Sequence, residues 1–154
     1  MSTQYCTFHL ADLYMGVEVR HVQEVLRYQR MRRVPLASEI VEGLINLRGQ
    51  IVTAIDLRRR VGLPERPADC EPTNVIVRDA DGVVSLLVDE IGDVLDVDED
   101  RVEEPPSTIP GPAGELIRGV YKLESQLLLL LDVEQMFRIE AGEAVVGGEA
   151  QGHT

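Results

Sequence analysis

Val41-Glu42-Gly43-Leu44-Ile45-Asn46-Leu47-Arg48-Gly49-Gln50-Ile51-Val52-Thr53-Ala54-Ile55-Asp56-Leu57 decides the fold, because its pattern returns 76 positions later. Gly43 aligns with Gly119, Leu47 with Leu123, Gln50 with Gln126 and Asp56 with Asp132. Between these identities apolar faces apolar: Leu44 and Val120, Ile51 and Leu127, Ile55 and Leu131, Leu57 and Val133. The chain therefore carries two diverged copies of one pattern. What both copies keep is read as fold. Asn46-Leu47-Arg48-Gly49 faces Tyr121-Lys122-Leu123-Glu124-Ser125, so Arg48 is a turn residue that one copy alone has.

Working outward, each copy reads as a set of short strands. Gly49 supplies positive φ for a hairpin turn at Arg48-Gly49. Tyr5–Leu10 and Leu13–Val19 alternate as strands around a turn at Ala11-Asp12. Val22, Val25 and Leu26 have helical spacing, so Arg20–Val25 is expected to hold one helical turn. Ser38 is placed to cap a brief helix over Glu39–Glu42 that stops at Gly43. Asp56 ends a strand before Leu57–Val61, and Pro64, Pro67 and Pro72 punctuate a polar linker near 63–73.

In the second copy, Asn74–Arg78 and Val83–Val88 flank Ala80-Asp81-Gly82, a strong hairpin signal. Ile91, Val94 and Leu95 match Val22, Val25 and Leu26 at a shift of 69. Glu103–Pro112 reads as a loop. Asp132, with Gln135 three residues on, caps a short helix through Phe137. Leu127–Leu131 has no polar side and is expected to be buried on both faces where the copies meet. The expected class is all-β: two five-stranded subdomains related by the internal repeat, with short helices. Residues 4–140 would form one domain, and 141–154, rich in Gly, Ala and Glu, a disordered tail.

The 154 residues suit one domain with a real core. Net charge is −12 but lopsided: residues 1–62 hold nine Arg against six acids, whereas 63–154 hold six Lys/Arg against 21 acids. That acidity argues against non-specific nucleic-acid binding and favours oriented contacts with proteins. No secretory signal or membrane-length apolar run is visible. Two cysteines, Cys6 and Cys70, without a partner motif point to reduced thiols.

The chemistry-bearing patterns are weak. Asp96-Val97-Asp98-Glu99-Asp100 opens like a calcium loop, but Arg101 stands at the turn glycine and Ser107 where a glutamate is needed. His9, His21 and His153 are scattered. Ser85 and Ser125 lack triad context. Gly111-Pro112-Ala113-Gly114 lacks the lysine and following helix of a phosphate loop. Neither metal nor cofactor is expected. A barrel enzyme using Asp89/Glu90 or Asp56 would need a deep pocket holding two acids. Arg27, Arg30, Arg32 and Arg33, with Tyr28, form one basic cluster suited to an acidic partner.

Phe8-His9-Leu10, Tyr14-Met15-Gly16-Val17-Glu18-Val19, Val22-Gln23-Glu24-Val25, Val34-Pro35, Gly43, Asn46-Leu47-Arg48-Gly49 and Ile55-Asp56-Leu57, in that order, resemble the CheW-type chemotaxis coupling proteins. The family often has Pro where Thr53 stands. The resemblance implies two SH3-like barrels and a non-enzymatic adaptor. Its partners would be the regulatory domain of a CheA-type histidine kinase and the cytoplasmic tips of methyl-accepting chemoreceptors. It would be cytoplasmic, recruited to membrane-associated receptor arrays without inserting into the membrane. A scaffold in another chemosensory pathway, such as pilus motility, is the alternative. Carried over by motif, Val22, Glu24, Arg48 and Gly49 fall on the coupling surface, and Gly43, Asn46, Asp56, Gly119 and Asp132 form the structural motif. Glu24 and Arg48 have no like-for-like mate, since Asp93 and Glu124 align with them.

Overall fold

A computed structural model of the chain describes residues 1–33, 40–80, 82–107, 109 and 111–137. β1 (Ser2–Leu10) and β2 (Leu13–Glu18) turn around Ala11, which takes a φ of +56°. A 3-10 turn, Val19–His21, leads to β3 (Val22–Leu26). β4 (Val41–Leu47) and β5 (Gln50–Asp56) form the opening hairpin, followed by α1 (Leu57–Arg60). The second copy repeats the five strands as β6 (Thr73–Asp79), β7 (Gly82–Val88), β8 (Glu90–Asp98), β9 (Ile117–Lys122) and β10 (Leu127–Leu131), with its 3-10 turn (Glu99–Arg101) after the third strand and not before it. It adds α2 (Gly111–Leu116) before β9 and a one-turn helix, α3, over 133–137.

The strands do not assort by copy. Barrel 1 has the order β8-β1-β2-β10-β9 and barrel 2 the order β3-β6-β7-β5-β4. Each barrel takes the first two strands of one copy and the last three of the other. The joins are the parallel pairs β2/β10 and β5/β7. Parallel neighbours cannot be linked by a tight hairpin, so the chain reaches them by crossing between barrels. Neither half of the sequence holds a complete barrel.

Each barrel is sealed along one seam. The segment after β3 bridges back to β4 at Arg32↔Leu44, and the segment after β8 bridges to β9 at Glu103↔Val120. These close approaches explain why glycine recurs. A Cβ on Gly43 would meet the Arg32 carbonyl oxygen at 2.7 Å, and one on Gly119 would meet Val102 Cγ1 at 2.5 Å. The shared positions Gly43 and Gly119 are thus where backbone passes over backbone.

Three apolar clusters fill the molecule. Tyr5, Val97, Tyr121, Leu128 and Leu130 fill barrel 1. Ile45, Leu47, Val52 and Ile76 fill barrel 2. The largest cluster lies between the barrels and includes Phe8, Met15, Val17, Ile55, Leu57, Val75, Leu86, Leu131 and Phe137. Each fully buried aliphatic side chain there contributes about 1.5–3 kcal/mol.

Four local expectations change. Arg20–Val25 is not a helical turn: a 3-10 turn occupies Val19–His21, and from Val22 the chain is a strand paired with β6. Cross-strand partners outweigh a three-residue spacing. Val41 and Glu42 open β4 rather than close a helix, while Ser38 and Glu39 lie outside the described residues. The Gly111-Pro112 stretch starts α2 and does not end a loop. Leu127 is 46% exposed at the strand end and Leu129 is half-buried, whereas Leu128, Leu130 and Leu131 are buried as expected. Leu128 and Leu130 point into barrel 1, whereas Leu129 and Leu131 face the layer between barrels. Asp81 and the segment 141–154 also lie outside the described residues.

Candidate functional site

The β4–β5 turn is built from three consecutive local choices. Arg48 has φ +52° and Gly49 φ +87°, the double positive-φ signature of a type I′ hairpin turn. Asn46 supports it, its side-chain oxygen accepting a hydrogen bond from the Gly49 N–H at 2.9 Å. Gly49 adopts its φ freely. Arg48 does not: a non-glycine residue in the left-handed region costs on the order of 1 kcal/mol. The strand pairing on either side over-determines the strain.

The guanidinium of Arg48 reaches across the seam to Glu24 on β3, and the two form an ion pair. Arg48 is 66% exposed in its side chain and Glu24 only 23%. The pair therefore presents mainly its arginine to solvent. An exposed pair of this kind is worth about 0–1 kcal/mol, so its guanidinium can change partners at little cost. Among the large apolar side chains of this hairpin and of β3, Ile51 is 60% exposed and Val25 40%. Val22 is half-buried, opposite Val77, and packs against the inter-barrel core. Of the four residues assigned to coupling, the structure joins Glu24, Arg48 and Gly49 in one surface element and holds Val22 two residues away, partly in the core.

The same place on barrel 1 differs. Glu124 and Ser125 replace Arg48 and Gly49, and neither has a positive φ. Asp93 stands in the place of Glu24 and is exposed. The counterpart of an ion pair is thus two anions. The helix caps, in contrast, are common to both copies. Asp56 accepts the Arg58 N–H at 3.1 Å, and Asp132 accepts the Gln135 N–H at 2.9 Å.

A second cluster has no clear signal in the sequence. Asp89, at the crossover from β7 to β8, accepts from Arg58 at 2.5 Å, from Arg66 at 2.8 Å and from the Ala11 N–H at 2.7 Å. Arg66 also reaches Asp56 at 3.4 Å, and Arg58 donates to the carbonyls of Pro64 and Glu65. The stretch expected to be a linker is thereby tied down. Asp89 joins a turn of barrel 1 to the helix and strap of barrel 2. In the sequence, Asp89 and Asp56 stand out only as carboxylates for a barrel enzyme, and Arg58-Arg59-Arg60 directly after a helix cap is a further hint.

This cluster also bears on the carboxylate chemistry considered above. Asp56, Arg59 and Arg66 line a cleft of about 320 Å³ with Tyr28, Glu65 and Cys70. Burial pushes the Asp89 carboxyl up, but hydrogen bonds from Arg58, Ala11 and Arg66 outweigh it and hold the pKa at about 2. A general acid or base works best with a pKa near the working pH, and Asp89 is driven the other way. Glu90 is exposed on β8. Among the described residues, no group of three or more His, Cys, Asp or Glu could hold a metal ion. Nor is any helix there long and apolar enough to cross a membrane.

Comparison with known proteins gives the same fold and places the chain in a family. The CheW-like domain model matches residues 4–141. The chain belongs to the CheW family. It is 31% identical over 138 residues to the chemotaxis protein CheW of Treponema pallidum, covering 87% of this chain and 81% of the relative. It is 31% identical over 135 residues to the chemotaxis protein CheW of Bacillus subtilis, covering 88% and 86%. A crystal structure of the scaffolding protein TtCheW from Thermoanaerobacter tengcongensis superposes with a TM-score of 0.78 at 28% identity, covering 86% of this chain and 90% of that one. The two five-stranded units are the SH3-like subdomains of the CheW fold.

Proposed function

We propose that this CheW-family chain is a non-enzymatic chemotaxis adaptor. It couples the cytoplasmic tips of chemoreceptors to the regulatory domain of a CheA-type histidine kinase. It acts in the cytoplasm, at receptor arrays on the membrane, through protein contacts alone. The observation that carries the coupling surface is the Arg48–Glu24 pair on a strained turn that only one copy has. Strain that the fold does not need is a sign of use. A planar, permanently charged fork suits a carboxylate or carbonyl on a partner. Gly49 shapes the turn that presents the arginine, and Ile51, three residues after Arg48, is 60% exposed.

Charge reversal separates a local role from a partner role. Arg48→Glu should leave the circular-dichroism spectrum unchanged and lower kinase activation in a reconstituted receptor–kinase mixture. The double variant Arg48→Glu/Glu24→Arg restores an internal pair with its signs exchanged. It should remain defective, because the outward charge is still reversed. Full recovery in the double variant would mean that the pair matters only within this chain.

A further inference from the structure

The chain passes between the barrels at two places. Barrel 1 holds β1, β2, β8, β9 and β10, and barrel 2 holds β3 to β7. The first passage is the 3-10 turn Val19–His21, between β2 and β3. The second is a single residue, Asp89, between Val88 of β7 and Glu90 of β8. The two passages are tied down unequally. At the first, buried His21 donates from Nδ1 to the Arg78 carbonyl of β6 at 3.1 Å, and its Nε2 stands 3.7 Å from Glu18 of β2. Arg20 beside it is exposed. At the second, Asp89 itself holds both barrels. Its N–H donates to the His9 carbonyl of β1 at 3.1 Å, and its carboxylate accepts from the Ala11 N–H of the β1–β2 turn. The same carboxylate takes both arms of the Arg58 fork from α1, Nε at 2.9 Å and Nη2 at 2.5 Å, and the Nε of Arg66 from the segment after α1. All three of these side chains are nearly buried.

The layer between the barrels is apolar, and apolar burial is non-directional: it holds two surfaces together more firmly than it fixes the angle between them. Bidentate bonds from a guanidinium to a carboxylate are directional. A carboxylate rooted in a one-residue link and bonded on both sides therefore sets that angle. We infer that Asp89 is a positioning residue for coupling: it fixes the orientation of barrel 1 relative to barrel 2, and with it the relative placement of the surfaces that the two barrels offer to partners. This rests on the coupling reading above, in which one chain meets a receptor and a kinase at once. A molecule whose barrels turn freely holds the right arrangement for only part of the time, and its apparent affinity falls by that fraction. The Asp89 carboxylate bonds to Ala11, Arg58 and Arg66 and not to Arg48 or Glu24, so it acts through the frame of the molecule and not on the coupling surface.

Residual dipolar couplings of the backbone amides, measured on the full chain in a weakly aligning medium, test this. Wild-type couplings from the two barrels should fit one alignment tensor. Asp89→Asn keeps an acceptor for the Ala11 N–H and loses the charge that orders the two arginines. Each of its barrels should fit well alone, which shows that both are folded, and the two should need different tensors. Arg58→Lys keeps the charge without the fork and should separate the tensors to a smaller degree. Arg20→Ala, at the other passage, should leave one tensor. In the reconstituted receptor–kinase mixture, Asp89→Asn should need ~3-fold or more chain for half-maximal activation, and excess chain should restore the wild-type maximum. A single tensor for Asp89→Asn overturns the inference, whatever the activation. So do separate tensors with an unchanged activation curve. If the wild-type chain itself fails to activate, the coupling reading falls, and the tensors still decide whether Asp89 sets the angle.

Discussion

The two hairpins of the repeat share a scaffold and differ at their tips. Gly43 and Gly119 let the seams close, and Asp56 and Asp132 cap the helices that follow. At the tips, Arg48-Gly49 takes a strained turn and Glu124-Ser125 does not. The difference extends to the barrel junction. Arg58 and Asp89 form a buried pair, with side chains 10% and 13% exposed. Their repeat counterparts are Glu134 and Arg20, the same two positions with the charges exchanged. Arg20 is 65% exposed and pairs first with Glu18 at 3.2 Å, with Glu134 adding attraction. Duplication kept what closes a barrel and released charge to diverge. One junction became a buried clamp and the other remained an open surface pair.

The largest expected effect breaks that contrast. Asp89→Ala leaves buried Arg58 without its anion and Arg66 with Asp56 alone, and should cost about 3–5 kcal/mol in urea unfolding. Arg20→Ala, at the open counterpart, should cost no more than ~1 kcal/mol. Equal costs would show that burial does not distinguish the two junctions. The clamp should also show in acid. Asp89 has its folded pKa lowered from 3.8 to about 2, so its contribution is fully present above about pH 4. It is lost as pH falls from about 4 through 2, for a loss of ~2 kcal/mol. Asp89→Asn should flatten that limb of the stability profile, which urea midpoints between pH 5 and 2 would measure.

Legibility in the sequence follows the same division. The hairpins were legible because alternation, Asp-Gly and Arg-Gly turns and a long repeat all act over short range. The two-barrel architecture was legible through the repeat and the family resemblance. Which strands share a barrel was not, because the parallel joins β2/β10 and β5/β7 link residues far apart in sequence and leave no local pattern. β3 was misread as a helical turn for a related reason: its partner β6 lies across the chain. Arg48 and Glu24 were singled out by lacking repeat mates, and the structure brings them into contact. Asp89 was legible only as a candidate carboxylate and its ion pairs were not, since its partners Ala11, Arg58 and Arg66 come from three separate turns.

The seam glycines give a smaller, paired test of what the copies share. Gly43→Ala sets a Cβ 2.7 Å from a backbone oxygen, which cannot move without opening the Arg32↔Leu44 bridge. A cost of about 2–3 kcal/mol is expected, comparable to overpacking a core. At Gly119 the nearest atom is the end of the Val102 side chain, and the Glu103 carbonyl oxygen is 3.2 Å away. Val102 is only partly buried and has room to give, so Gly119→Ala should cost about 1–2 kcal/mol. Thermal melts of the two variants would rank them. The reverse order would mean that the barrel 1 seam is the tighter one.

The smallest effect on stability belongs to the residue assigned the most function. Arg48→Gly removes a left-handed non-glycine residue, which gains on the order of 1 kcal/mol. It also loses an exposed ion pair worth about 0–1 kcal/mol and makes the unfolded chain more flexible by a similar amount. The three nearly cancel, so the melting temperature should shift by only a few degrees in either direction. Kinase activation in the reconstituted mixture should nonetheless fall, because glycine keeps the turn and removes the fork. The same exchange has no parallel in barrel 1, where Glu124 already has an ordinary negative φ. There, Glu124→Gly should destabilise slightly and leave activation unchanged. If Arg48→Gly activates as well as the wild-type chain, the strain at this turn serves only to hold the seam with Glu24, and the asymmetry between the tips is structural drift.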